Sequence, residues 1–181
     1  KKAVVARLMQ GHRTTSLPET GAEYKIRFML RKNICEVMLD TTGDGLHKRG
    51  YRRNAMEAPI RETLAATIAD LGRVRRDSLV EDPFCGSGTL LIEAAQKAMN
   101  IAPGLKRRFA AERYGFVPAA IWAEQRQKAL AEAKLDVGFE AFGYDIDPAA
   151  VALANANAKL AGVEKRCHFE VADVADFAAK Q

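Results

Sequence analysis

Apolar and polar positions change period several times along the chain, and the changes mark out the elements. Val4, Val5, Leu8 and Met9 recur at helical spacing and predict a helix over residues 2–10, ended by Gly11. Pro18 and Gly21 break the following loop. Residues 24–30 and 34–40 each alternate apolar and polar, the pattern of half-buried strands, around a turn at Arg31-Lys32-Asn33. Together they predict a β-hairpin, closed by Thr41-Thr42-Gly43-Asp44-Gly45. A helix beginning near Ala58-Pro59 suits a proline in the first turn, where its missing N–H is no loss. Ile60, Leu64, Ala65, Ile68 and Leu71 would form its core face, and Gly72 would end it.

The period then shifts to alternating short apolar runs and helices. Leu79-Val80 reads as a buried strand, and a helix follows over residues 89–99. Ala102-Pro103-Gly104 breaks that helix, and residues 105–118 form a basic insertion carrying Phe109, Tyr114 and Phe116. Residues 119–135 return to helical spacing, with Ile121, Trp122, Ala129, Leu130 and Ala133. Residues 139–145 read as a second strand, 149–160 as a helix capped by Gly162, and 167–171 as a third strand reaching Ala172-Asp173. Strand, helix, strand, helix, strand implies an α/β fold with a parallel sheet and right-handed crossovers.

Between the first parallel strand and its helix lies Asp82-Pro83-Phe84-Cys85-Gly86-Ser87-Gly88-Thr89. A strand, a glycine turn and a helix in that order make a crevice at the carboxyl end of a parallel sheet. Gly86 and Gly88 permit positive φ and close approach of a ligand. Ser87 or Thr89 can cap the helix, whose N–H groups favour a carboxylate or phosphate. Asp82 is an acceptor suited to an amine or hydroxyl. The third glycine of dinucleotide sites is absent, since position 91 is Leu, and no Gly-Lys-Ser/Thr of a phosphate loop follows. A tight turn without a ligand remains the alternative for the glycines alone.

Two further acids strengthen the ligand reading. Asp145 ends the second strand, where a carboxylate can accept from ribose hydroxyls. Asp173 ends the third and could accept from an adenine amine, while Phe84 and Ile146 offer apolar surface to the ring. The competing reading is that acids at strand ends are helix caps, which fits Asp147 before Pro148 best.

Composition adds limits. The 181 residues suit one domain or one and a fraction, and 48% apolar content suffices for a core. A net charge of +5 allows acidic partners without requiring them. Basic residues cluster at 48–53, at 73–76 and at 106–113. In the first cluster His47, Lys48, Arg49, Tyr51 and Arg52 combine phosphate-seeking charge with a ring for stacking, a mixture suited to structured RNA. Tyr51 could instead belong to the core. Cys35, Cys85 and Cys167 show neither metal-ligand nor disulfide spacing, which fits a reducing cytoplasm and no metal site. Cys85 is expected to be small packing rather than a nucleophile. No apolar run reaches membrane length and no signal peptide is present, so no membrane partner is expected. The start at Lys1-Lys2 suggests a piece excised from a longer protein.

The run from Asp82 to Thr89 resembles the first S-adenosylmethionine motif of amino-methyltransferases that act on nucleic-acid bases. The segments 46–52 and 57–65, the glycine motif and Ala102-Pro103-Gly104-Leu105 are, in this order, similar to the bacterial 23S rRNA guanine-N2 methyltransferase family, often described as N6-adenine-specific DNA methylases. That resemblance implies a Rossmann-like methyltransferase sheet over residues 46–181, with residues 1–45 the end of a THUMP-like RNA-binding region. It implies S-adenosyl-L-methionine as cofactor, contacted by Asp82, Phe84, Gly86, Gly88, Asp145 and Asp173 within a motif that also takes in Pro83, Cys85, Ser87, Thr89 and Ile146. It implies rRNA as partner ahead of DNA. One departure matters: the family's Asn/Asp-Pro-Pro-Tyr/Phe motif should follow the strand after Asp173, and no Pro-Pro occurs in the sequence. The expectation is therefore a cofactor-binding chain with no catalytic residue of its own.

Overall fold

The computed structural model describes residues 2–52 and 59–178. An amino-terminal helix, α1 (Lys2–His12), precedes a hairpin of β1 (Ile26–Arg31) and β2 (Ile34–Leu39). Helix α2 (Glu62–Leu71) leads to β3 (Leu79–Asp82), α3 (Thr89–Ala98), α4 (Ala119–Ala131), β4 (Glu140–Asp145), α5 (Pro148–Ala161) and β5 (Cys167–Val171). Short 3₁₀ turns lie at Ala110–Arg113 and Val174–Asp176. β3, β4 and β5 form a parallel sheet in that order, so the α/β expectation holds.

Helices α3 and α5 pack together and against β4 and β5. Leu91, Ile92, Ala94 and Ala95 of α3 meet Val151, Ala154 and Ala158 of α5, with Ala141, Cys167 and Phe169 from the strands. The many alanines keep the helices close to the sheet. Gly143 does the same inside β4, where an added Cβ would lie 2.5 Å from the Phe169 ring. α5 has the ends its sequence specifies: Asp147 accepts from the N–H of Ala149 at 2.9 Å, and Gly162 closes the helix at φ 81°.

Several expectations change. Gly11 lies inside α1, which runs one residue further. The hairpin forms, turning at Lys32 and Asn33 with φ of 50° and 60°, the pair of positive angles that matches the strand twist. Its strands are nevertheless exposed at every position. Register places Ile26 opposite Leu39, Phe28 opposite Val37 and Leu30 opposite Cys35, so one face is wholly apolar and still uncovered among the described residues. Helix α2 begins at Glu62, leaving Pro59 ahead of it, while Ala58 falls outside the described residues. Its buried face is Glu62, Ala65 and Ala69, turned to α3, and Leu64, Ile68 and Leu71 are exposed. Gly72 keeps right-handed geometry, and Arg73 takes the left-handed position at φ 53°. α4 buries none of its residues; Trp122 stacks on Phe109, 5.8 Å between ring centres.

Candidate cofactor crevice

The parallel register sets the carboxyl ends of the three strands side by side. Asp82 pairs with Gly143, and Asp145 with Val171. Beyond the ladders, the N–H of Cys85 donates to the Tyr144 carbonyl at 2.8 Å, and that of Ala172 to the Asp145 carbonyl at 3.1 Å. The glycine turn, Asp145 and the approach to Asp173 therefore share one rim.

Asp145 is the pivot of this rim. Its Oδ2 accepts from the Gly86 N–H at 2.9 Å and its Oδ1 from the Asp147 N–H at 3.0 Å. An ionised carboxylate offers about four lone-pair positions, so two remain for hydroxyl donors. Asp82 accepts from the Phe84 N–H at 3.0 Å. Burial raises the Asp82 pKa, the Phe84 N–H opposes the rise, and the nearby Asp145 charge adds to it. Asp173 is exposed and accepts from the Ala175 N–H at 2.9 Å, so it also acts as the cap that the competing reading of strand-end acids foresaw.

The two glycines differ. Gly86 has φ 51°, and a Cβ there would meet nothing within 4 Å, so the backbone is open to a ligand. Gly88 has φ 76°, but its bare Cα faces inward: a Cβ would lie 2.8 Å from Phe169 Cζ and 3.0 Å from Ala154 Cβ. Gly88 thus serves close packing of turn, α5 and β5 rather than ligand approach. It is also the residue preceding α3, and no side chain caps that helix. Ser87 and Thr89 bond each other at 3.1 Å, so neither caps the helix as the sequence suggested. An uncapped helix start attracts a carboxylate through its N–H groups and dipole.

Cys85 is buried, and burial with the adjacent Asp82 and Asp145 charges pushes its thiol up to about 12. It stays protonated and packs, as expected. Pro83 is half-buried in the turn. Phe84 and Ile146 stand 71% and 69% exposed on the rim, free to flank a ring.

The first basic cluster divides. Lys48 is exposed and His47 half-exposed. Tyr51 is 1% exposed and donates its hydroxyl to Glu93 Oε1 at 3.0 Å, so its ring is core and has no face for a base to stack on. Arg49 Nη2 reaches Glu93 Oε2 at 3.4 Å. Arg52 donates to the Ile60 carbonyl at 3.1 Å and to Thr89 Oγ1. Burial raises the Glu93 pKa, with Arg49 and Tyr51 opposing the rise. Sequence reasoning passed over Glu93. Its signal was a lone acid within the run Leu90-Leu91-Ile92-Glu93-Ala94-Ala95, which requires a buried partner. Gly143, which accommodates Phe169 beneath the turn, was also missed.

Among the described residues no group of three or more His, Cys, Asp or Glu is arranged to hold a metal ion. No described helix is long and apolar enough to cross a membrane.

Parallel strands ending in acids around an open glycine turn define an α/β domain of the Rossmann-like methyltransferase class. The chain belongs to the RMKL-like methyltransferase domain family, whose model matches residues 49–181. It is 41% identical over 179 residues to "Putative RNA methyltransferase YpsC" of Bacillus subtilis, covering 98% of this chain and 46% of that protein. It is 42% identical over 163 residues to the ribosomal RNA large subunit methyltransferase K/L of Shewanella baltica, covering 87% of this chain and 23% of the relative. A Listeria monocytogenes structure, described as "a predicted N6-adenine-specific DNA methylase", superposes with a TM-score of 0.92 at 40% identity, covering 99% of this chain and 47% of that one. A structure of "SMU.472, a putative methyltransferase complexed with SAH" superposes with a TM-score of 0.89 at 40% identity, over 99% of this chain and 48% of that one. The chain thus spans about half or less of the length of these relatives.

Proposed function

We propose that this chain is the cofactor-binding part of an S-adenosyl-L-methionine-dependent RNA methyltransferase whose target is the exocyclic N2 of guanine in large-subunit ribosomal RNA. The observation that carries the reading is the shared rim, with Asp82, the open Gly86 backbone and Asp145 on adjacent strand ends. In this reading Asp82 accepts from the cofactor's ammonium group and the start of α3 receives its carboxylate. Asp145 accepts from ribose hydroxyls, Asp173 from the adenine amine, and Phe84 and Ile146 flank the ring. The bound group supplies an electrophilic methyl on a sulfonium. Support comes from the family and from the rRNA methyltransferase relatives. N6-adenine methylation is the second reading, favoured by the activity ascribed to the Listeria protein.

An exocyclic amine is a weak nucleophile because its lone pair is delocalised into the base. Activation requires acceptors placed beside the amine, which the Pro-Pro motif of the resembling family would provide. These 181 residues contain no Pro-Pro. The proposal is therefore that the chain binds cofactor and transfers no methyl group by itself. Residues 1–45 are assigned to the end of an RNA-binding region, and the RNA contacts in the first cluster to His47, Lys48, Arg49 and Arg52, without the buried Tyr51. A cytoplasmic location goes with this reading, supported by the rRNA methyltransferase relatives.

Calorimetry with S-adenosylhomocysteine on the folded chain tests the cofactor claim. A one-to-one isotherm is expected; folded protein that binds neither this product nor S-adenosylmethionine overturns it. Radiolabelled methyl incorporation into rRNA by this chain alone would overturn the assignment of chemistry to residues outside it.

A further inference from the structure

The first and third basic clusters are separate in sequence but meet around one cavity. It has a volume of about 500 Å³ and is lined by His47, Lys48, Arg49, Arg52, Arg107 and Arg108. Asp44 and Glu62 are the acids on its wall. Five permanent cations line the cavity; with Glu93, ion-paired to Arg49 behind the wall, counted beside Asp44 and Glu62, a surplus of two positive charges is left, with His47 in addition.

The walls are held rigidly. Gly50, at φ 95°, lets the 46–52 loop lie on the insertion: a Cβ there would sit 2.7 Å from the Lys106 carbonyl oxygen. Arg107 is 7% exposed and donates through Nη1 to the Gly45 carbonyl at 2.9 Å and through Nη2 to that of Asp44 at 2.5 Å. Arg49 donates to the Leu46 carbonyl at 3.0 Å as well as to Glu93. Arg52 joins the cavity to Thr89, the first residue of α3. Arg49 and Arg107 engage both terminal nitrogens and Arg52 engages Nη2, while the Nε of each is buried and finds no hydrogen-bond acceptor among the described residues. Arg52 Nε comes no closer than 3.7 Å to Glu62 Oε1.

Fixed guanidiniums lining a cavity with surplus positive charge suit an oxyanion with several acceptor atoms. We propose that this cavity seats a backbone phosphate of the RNA strand, beside the start of α3. The inference rests on the RNA reading above and deepens it. Lys48 and Arg108 are exposed and would close on the phosphate from outside. The cofactor's carboxylate carries the same single charge but only two acceptor oxygens, and its claim on the cavity is one outcome of the test.

The test uses Lys48→Ala, Arg108→Ala and the double variant, because neither side chain is part of the buried network. Affinity for a large-subunit rRNA transcript is measured between 50 and 200 mM salt, and S-adenosylhomocysteine affinity in parallel. Each removed phosphate contact should flatten the log–log salt slope by about 0.7–0.9. The double variant should bind RNA about tenfold or more weakly at the low-salt end, with cofactor-product affinity unchanged. RNA binding by the parent chain that is unaltered in the double variant overturns the phosphate seat and leaves the proposed function standing. A parent chain that binds no RNA overturns both. Loss of S-adenosylhomocysteine affinity in the variants would assign the cavity to the cofactor's carboxylate and overturn the phosphate seat.

Discussion

Asp145 and the two glycines show how one turn divides its work among residues. Asp145 holds Gly86 and Asp147 by their N–H groups, so Asp145→Ala leaves two part-buried donors without their acceptor. Unfolding experiments should show a loss of about 1–3 kcal/mol, and calorimetry a weaker hold on S-adenosylhomocysteine. Intact stability with lost affinity would mean that Asp145 serves the ligand alone. Gly88→Ala forces a methyl into Phe169 and Ala154 at a positive φ. It should destabilise by about 1–3 kcal/mol through overpacking. Gly86→Ala has open space, so its stability loss should be the smaller, with cofactor affinity the main casualty. Asp82 adds a pH dependence. Burial raises its folded pKa above the usual 3.8, so folding favours the protonated form, and its contribution to stability falls as pH rises from 3.8 through the raised value. Binding an ammonium group runs the other way, since the charged carboxylate holds it more strongly than the neutral acid does. Affinity for S-adenosylhomocysteine should therefore weaken as pH falls into a window that opens above the ordinary carboxylate range. Asp82→Asn should remove that component, and a pH profile unchanged by it would place the ammonium elsewhere.

At the scale of elements, helix α2 separates helical periodicity from burial. Its apolar positions have helical spacing, yet the face turned to α3 is Glu62, Ala65 and Ala69. Large side chains would hold the helices apart; alanines allow close contact and leave Leu64, Ile68 and Leu71 outward. Leu71→Ser should change thermal stability by less than about 0.5 kcal/mol, whereas Ala65→Leu should destabilise by about 1–3 kcal/mol through overpacking. The reverse ranking in a pair of melting curves would restore the leucine face to the core. The same distinction explains what the sequence made legible. Parallel strands, the turn and the α5 ends depend on local signals, such as the short apolar run at Leu79-Val80, the caps at Asp147 and Gly162, and the Gly86-Ser87-Gly88 spacing. Burial direction in α2, α4 and the hairpin depends on what each packs against, which period alone does not carry. At the site, the strand-end acids were readable because position along the chain fixed them at the sheet's rim. The inward turn of Tyr51 and Arg49 was not, because it depends on Glu93, more than forty residues away, and that of Arg52 depends on Thr89 and Ile60. The different use of Gly86 and Gly88 was hidden for the same reason: Phe169 decides it, from another strand.

At the scale of the whole molecule, two apolar surfaces of the described residues are unlike. One is the core between α3, α5 and the sheet, directly beneath the rim. The other is the uncovered hairpin face of Ile26, Phe28 and Leu30 with Cys35, Val37 and Leu39. Only the first is linked mechanically to the cofactor, because Gly88, Phe169 and Gly143 pack the turn onto the strands whose ends would grip it. A ligand that binds the folded rim and not the unfolded chain adds stability by mass action, about 2.7 kcal/mol at a hundredfold excess over its Kd. For a chain of this length each kcal/mol moves the melting midpoint by about 2–4 °C. S-adenosylhomocysteine at that excess should therefore raise Tm by about 5–10 °C. Phe28→Ser, on a side chain 78% exposed, should leave both the basal midpoint and the ligand-induced rise in place. Gly88→Ala should lower the midpoint and shrink the rise at fixed ligand concentration, since it moves the packing on which the rim stands. A rise lost in Phe28→Ser, or retained in full in Gly88→Ala, would mean that the hairpin rather than the sheet core supports the crevice.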